Sequence, residues 1–121
     1  MTAEQVRMTP WMPERSPKVI RRMGKLGEEL AELTKVCFRI IIQGYSEVDP
    51  GNDKPNVVSL EEEIADVVAQ CLTTVKTLTL NRDFIDRRVG KKMDQMEEWE
   101  SLVIDKDKTW PKGDSLKTGT A

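Results

Sequence analysis

The sequence predicts an all-α protein: a helical bundle of two long antiparallel helices plus a third, completed by oligomerisation. Three observations predict it. Apolar residues recur at spacings of four and three over residues 19–40 and again over 60–78, the seam of helices packed in a bundle. Residues that start and stop helices bracket those runs. Only six aromatic residues are present among 121, so the core must be aliphatic, and a three-helix core of this size leaves an apolar face without a partner.

Residues 1–16 carry Pro10 and Pro13 without sustained periodicity and read as an extended arm. Ser16 is a good N-cap and Pro17 suits the first helical position, so the domain begins at 17 with a helix. Its stripe is Val19, Met23, Leu26, Leu30, Leu33, Cys37 and Ile40, widened by Ile20, Ile41 and Ile42, and Gly44 stops it. Residues 45–58, YSEVDPGNDKPNVV, read as a loop of a length that is often functional or mobile. Ser59 followed by Glu62 has capping-box spacing and starts a second helix near Leu60. Its stripe is Leu60, Ile64, Val67, Cys71, Val75 and Leu78, and it ends near Asn81. A third helix runs from about Asp83 to Val103, with Phe84, Ile85, Val89, Met93, Met96 and Trp99 facing inward. Residues 104–121 are polar and aperiodic, a mobile tail in which Trp110 is the one candidate anchor.

The composition excludes several classes. About a third of the residues are charged but the net charge is −2, which gives no whole-chain signal for nucleic acid. No run of 18 apolar residues is present and the N-terminus does not resemble a secretory signal, so no membrane partner is expected. Cys37 and Cys71 fall within apolar helical stripes and read as buried free thiols, which places the protein in the cytoplasm. Histidine is absent, which removes Ser-His-Asp and Cys-His catalysis, imidazole zinc sites and Glu-x-x-His di-iron bundles. Chemistry in this chain rests on carboxylates, amines, guanidiniums or hydroxyls.

The carboxylates are patterned. Glu29 with Glu32, and Glu63 with Asp66, each stand three residues apart and so share one helix face, at the edge of an inward seam. Antiparallel helices would pack those edges together if the loop absorbs the offset between them. Four carboxylates converging in a partly buried place repel one another unless cations occupy it. Hard, oxygen-preferring ions such as magnesium are the natural occupants, with manganese a possible substitute. Solvated acidic faces give the same spacing on many helices, so the pairing on consecutive helices is the informative part.

KLGEELAEL (25–33) resembles the K-L-x-E-E-x-x-E-L motif of MazG-like all-α nucleoside triphosphate pyrophosphohydrolases. EEEIADVV (61–68) resembles their second motif, and GKKMD (90–94) their basic third-helix motif. The resemblance covers roughly residues 17–100 and implies magnesium ligands at Glu29, Glu32, Glu63 and Asp66. It also implies that Lys92 faces phosphate and that Asp94 supports the metal side. The family often has an Asn two residues beyond that Asp, and here Met96 stands there.

Other residues are candidates for substrate contact. Arg15, Lys18, Arg21, Arg22 and Lys25 crowd the start of the first helix, where cations oppose the helix dipole and a phosphate would relieve the conflict. Lys25, one turn before Glu29, is the foremost of them; a solvated basic face is the alternative. Gln70 and Arg39 lie in the region that meets the base in the resembling enzymes. Trp11 either stacks on a nucleobase or anchors the arm to the bundle. Gly24 and Gly27 mark close approach of another helix or room for a ligand.

The expected activity is magnesium-dependent hydrolysis of a nucleoside triphosphate to monophosphate and pyrophosphate by a homodimer or homotetramer. Glu28 and Glu62 are the candidate bases, and Lys25 or Lys92 would offset charge on phosphate oxygens. The alternatives are a non-catalytic helical regulatory or interaction module, and hydrolysis of a guanosine tetraphosphate-type alarmone on the same fold.

Overall fold

A computed structural model of the chain describes residues 10–107, with side chains described as far as Val103. The expectations for the first part of the arm and for residues 108–121, Trp110 included, lie outside the described residues. The chain is all-α. Helix α1 (Pro17–Gln43) leads through two short strands, β1 (Val48–Asp49) and β2 (Lys54–Pro55), into α2 (Asn56–Thr77), and α3 (Arg82–Asp107) follows.

The ends of α1 are those the sequence predicts. The Ser16 hydroxyl accepts a hydrogen bond from the Val19 N–H at 3.4 Å, and Pro17 holds the first turn. At the other end the Gly44 N–H donates to the Ile40 carbonyl at 2.8 Å with φ 111°, a backbone state that favours glycine. A Cβ there would also lie 2.9 Å from the Glu47 side chain.

Helices α1 and α2 pack antiparallel. Arg22 bonds to Gln70 and Glu29 lies beside Glu63, so seven residues up one helix match seven down the other. The seam between them differs from the predicted one in an informative way. Val19, Leu26, Leu33 and Ile40 are partly buried as expected, but the residues completing the seam are Arg22, Glu29, Val36 and Gln43. Met23, Leu30 and Cys37, one residue further round, are exposed. On α2, Leu60 and Val67 are joined in the seam by Glu63, Gln70 and Thr74, while Ile64 and Cys71 are exposed. Each helix therefore carries one shared aliphatic stripe with a polar seam on one side and an apolar seam on the other, and the polar seams meet. Both cysteines lie on the outer apolar seams and are free and exposed, not buried.

The start of α2 is also corrected. The helix begins at Asn56, four residues before Leu60, and the Ser59–Glu62 capping box does not form, because Ser59 already lies inside the helix and is buried. Asn56, 1% exposed, does the closing work: its side-chain amide donates to the Gln43 side chain at 3.1 Å and to the Gly44 carbonyl at 3.0 Å. Tertiary bonds to the end of α1 thus replace a local cap. Part of the predicted loop is an antiparallel pair, Val48 opposite Pro55 and Asp49 opposite Lys54.

Helix α2 ends at Thr77, earlier than predicted. The Leu80 N–H reaches back to the Val75 carbonyl at 2.9 Å and the Thr79 N–H to Lys76 at 3.4 Å, a Schellman arrangement. Thr79, at φ 53°, holds the left-handed position usually given to glycine. Asn81 then caps α3, its side chain accepting from the Phe84 N–H at 3.0 Å.

The helix packing within the chain is that of α1 on α2. On α3, Phe84, Val89, Met93, Met96 and Trp99 are exposed instead of facing inward, and Ile85 is half-buried. Val36 is the one buried aliphatic side chain among the described residues. Gly24 and Gly27 have nothing within 4 Å of where a Cβ would stand, so neither marks a close helix approach within the chain. No helix among the described residues is long and apolar enough to cross a membrane.

Candidate functional site

The inward-facing polar seam brings the acidic pairs of α1 and α2 together. One carboxylate oxygen each from Glu29, Glu63 and Asp66 lies within 4.8 Å of the others. Glu32 borders the same place, lining with Glu62 and Glu63 a cleft of about 280 Å³ that opens toward the β1–β2 hairpin. Glu63 links the two, and its Oε2 is buried without a hydrogen-bond partner. Burial, followed by the charges of Asp66, Glu29, Glu32 and Glu62, raises its carboxyl above the ordinary glutamate value. The helical spacing that put each pair on one face is the reason three of the four carboxylates meet here, with Glu32 beside them.

The hairpin is fixed to α1 by Asp49, which is 4% exposed. Its carboxylate accepts from the Gly51 N–H at 3.2 Å and the Gln43 amide at 3.3 Å, and pairs with Arg39 at 3.0 Å. The Gly51 bond foremost, then Gln43 and the charges of Arg39 and Lys35, hold its carboxyl below the ordinary aspartate value against the opposing effect of burial. The Asn52 side chain accepts from the Lys54 N–H at 3.0 Å and completes the turn.

The structure gathers some of the candidates and disperses others. Lys25 pairs with Glu28 at 3.2 Å and with Glu29 at 3.5 Å, and the Glu28 bond foremost raises the pKa of its ammonium. Glu28 does not line the cleft, whereas Glu62 lines it and pairs with Lys54 at 3.0 Å. Arg39 lines the cleft as well. Gln70 does not; its side-chain oxygen accepts from Arg22 at 3.0 Å, which makes it part of the helix seam. Lys92 and Asp94 are exposed on α3 and are not brought to the cleft, because α3 leads away from the α1–α2 pair. Trp11 is fully exposed and neither anchors the arm nor lines the cleft.

Sequence reasoning missed Lys35, Lys54 and Ser59 as cleft residues, along with Asp49 as the loop's anchor. Lys35 stands three residues beyond Glu32 on the same face, a signal that was available. The loop residues had none, since the fold-back of the hairpin depends on contacts with α1. No protein-family model matches the chain, and no match is found among curated proteins or solved structures.

Proposed function

We propose that the chain is a magnesium-dependent nucleoside triphosphate pyrophosphohydrolase releasing nucleoside monophosphate and pyrophosphate. The observation that carries the reading is the meeting of Glu29, Glu63 and Asp66 across two helices, with Glu32 beside them and a buried, unpartnered oxygen on Glu63. An all-oxygen donor set with an orphaned buried carboxylate oxygen fits a hard divalent ion. Glu29, Glu32, Glu63 and Asp66 would hold magnesium, with manganese able to replace it. The resemblance of residues 25–33 and 61–68 to the MazG-like motifs gives the substrate class.

Magnesium held there supplies positive charge against polyphosphate oxygens and acidifies water at the site. The chain's own residues orient the reaction. Glu28, beside Glu29 at the end of the carboxylate cluster away from the hairpin, takes the proton from the attacking water. The water oxygen bonds to the α-phosphorus as the bond from that phosphorus to the α–β bridging oxygen breaks, and pyrophosphate leaves with that oxygen. Lys25, tethered by Glu28 and Glu29, stands ready to offset charge at the carboxylate end.

The chain works as a homodimer or homotetramer in this reading, supported by the apolar seams that α1, α2 and α3 leave exposed. Two free thiols favour a reducing compartment, the cytoplasm. The exposed face of α3 also favours the non-catalytic interaction module, which has no turnover and tolerates Glu29→Gln. Incubating the chain with a nucleotide panel decides between them. Magnesium-dependent release of pyrophosphate, abolished by Glu63→Gln at unchanged helicity, supports the enzyme. A Glu63→Gln variant that still turns over overturns the ligand assignment.

A further inference from the structure

The cleft also holds cations that the proposed reaction leaves without a task. Lys35, Arg39 and Lys54 line it, interleaved with Glu32, Glu62 and Glu63. Arg39 is steadied by Asp49 and Lys54 by Glu62, while Lys35 forms no ion pair among the described residues. Ser59, in the first turns of α2, also lines the cleft. It is 8% exposed, and its hydroxyl is buried with no hydrogen-bond partner. Buried hydroxyls are almost always satisfied, so an orphan beside three cations marks a place where an acceptor belongs.

The charges specify what kind of acceptor. With Asp49 included, carboxylates outnumber cations in the cleft, so a free anion is not favoured there. A cation and a polyanion together answer both sets of charge. Among the described residues no aromatic lines the cleft, so none of them offers a nucleobase a stacking face there.

We infer that Lys35, Arg39, Lys54 and the Ser59 hydroxyl form a subsite for the terminal phosphates of a magnesium-bound polyphosphate. The phosphate chain then runs toward the hairpin and the nucleoside points away from it. Resting on the proposed reaction, this makes the hairpin end of the cleft the seat of the departing pyrophosphate. The lysines and Arg39 donate to non-bridging phosphate oxygens, with Ser59 as a neutral donor at the base of the cleft.

Calorimetry with magnesium and inorganic tripolyphosphate tests the subsite without turnover. The full wild-type chain binds the magnesium–tripolyphosphate pair. Lys35→Gln with Lys54→Gln weakens that binding by about tenfold or more, the scale of a lost charge-assisted bond. Ser59→Ala, which removes only a hydroxyl and keeps the helix, weakens it several-fold. Affinity for magnesium alone stays within about twofold of wild type in both variants, well short of the loss for the anion in the lysine variant, if the cations and carboxylates act separately. Undiminished tripolyphosphate binding in the lysine variant overturns the assignment, as does a wild type that binds none or a proportional loss of magnesium affinity. Absence of nucleotide hydrolysis in the wild type would instead count against the reaction, since the binding measurement does not depend on it.

Discussion

Glu29 on α1 and Glu63 on α2 set carboxylate oxygens within 4.8 Å of each other, in the seam where two helices would ordinarily place aliphatic side chains. The Glu63 carboxyl is raised above its ordinary value first by burial and then by Asp66 and Glu29. A raised acid binds its proton more tightly in the folded state than in the unfolded one. Its contribution is favourable at low pH and is lost as pH rises from the ordinary glutamate value through the raised one. Thermal melts in EDTA should therefore show a stability loss across that interval, and Glu63→Gln should remove the loss and raise the neutral-pH melting temperature of the metal-free chain. A flat wild-type profile would count against the repulsion.

Magnesium should reverse that repulsion. At about a hundredfold excess over Kd, a ligand bound only by the folded chain stabilises it by about 2.7 kcal/mol. Differential scanning calorimetry should show a rise in Tm with magnesium for the wild type and none for Asp66→Asn. An equal rise in both would move the ion elsewhere.

Asp49 makes the opposite case. Its depressed pKa contributes stability that is complete above the ordinary aspartate value and disappears as pH falls through the lowered one. Asp49→Ala removes the acceptor for Gly51 and Gln43 and the partner of Arg39. Hydrogen exchange at the Gly51 and Asp53 amides should accelerate strongly in that variant while the middle of α1 keeps its protection.

The sequence makes much of this architecture legible and hides some of it for identifiable reasons. Ser16, Pro17 and Gly44 act locally, and α1 has the ends they predict. The heptad stripe of Val19, Leu26, Leu33 and Ile40 is equally visible, but hydrophobicity assigns Met23 and Leu30 to the inner seam where Arg22 and Glu29 stand. Periodicity fixes the face to within one residue's rotation, and the choice between the neighbours is made by what lies across the seam. The meeting of Glu29 with Glu63 and Asp66 could be read from their spacing, though Glu32 stands to one side of it. The start of α2 could not, because Asn56 is capped by Gln43 and Gly44, distant in sequence, and the local Ser59–Glu62 signal points four residues too late.

Thr79 offers a test of backbone strain. A β-branched residue at φ 53° is held there by the Leu80–Val75 and Thr79–Lys76 bonds. Thr79→Gly should stabilise the chain by about 1 kcal/mol, the usual cost of a non-glycine residue in the left-handed region. Equilibrium urea denaturation measures it; a destabilised variant would mean that the Thr79 side chain contributes contacts that outweigh the strain.

The outward apolar seams predict a molar mass in solution that is a multiple of 13.8 kDa. Leu30→Asp and Ile64→Asp, on α1 and α2, should each shift light scattering toward the monomer, since both side chains are nearly half exposed in the single chain. A monomeric wild type would refute self-association.

With Val36 as the one buried aliphatic residue described, the α1–α2 pair mixes charge into its interior and leaves an apolar stripe outside. If those outer faces pair between copies, shape and assembly become one equilibrium, set by how many copies share a volume. Dilution, harmless to most small domains, would then act on it as a denaturant.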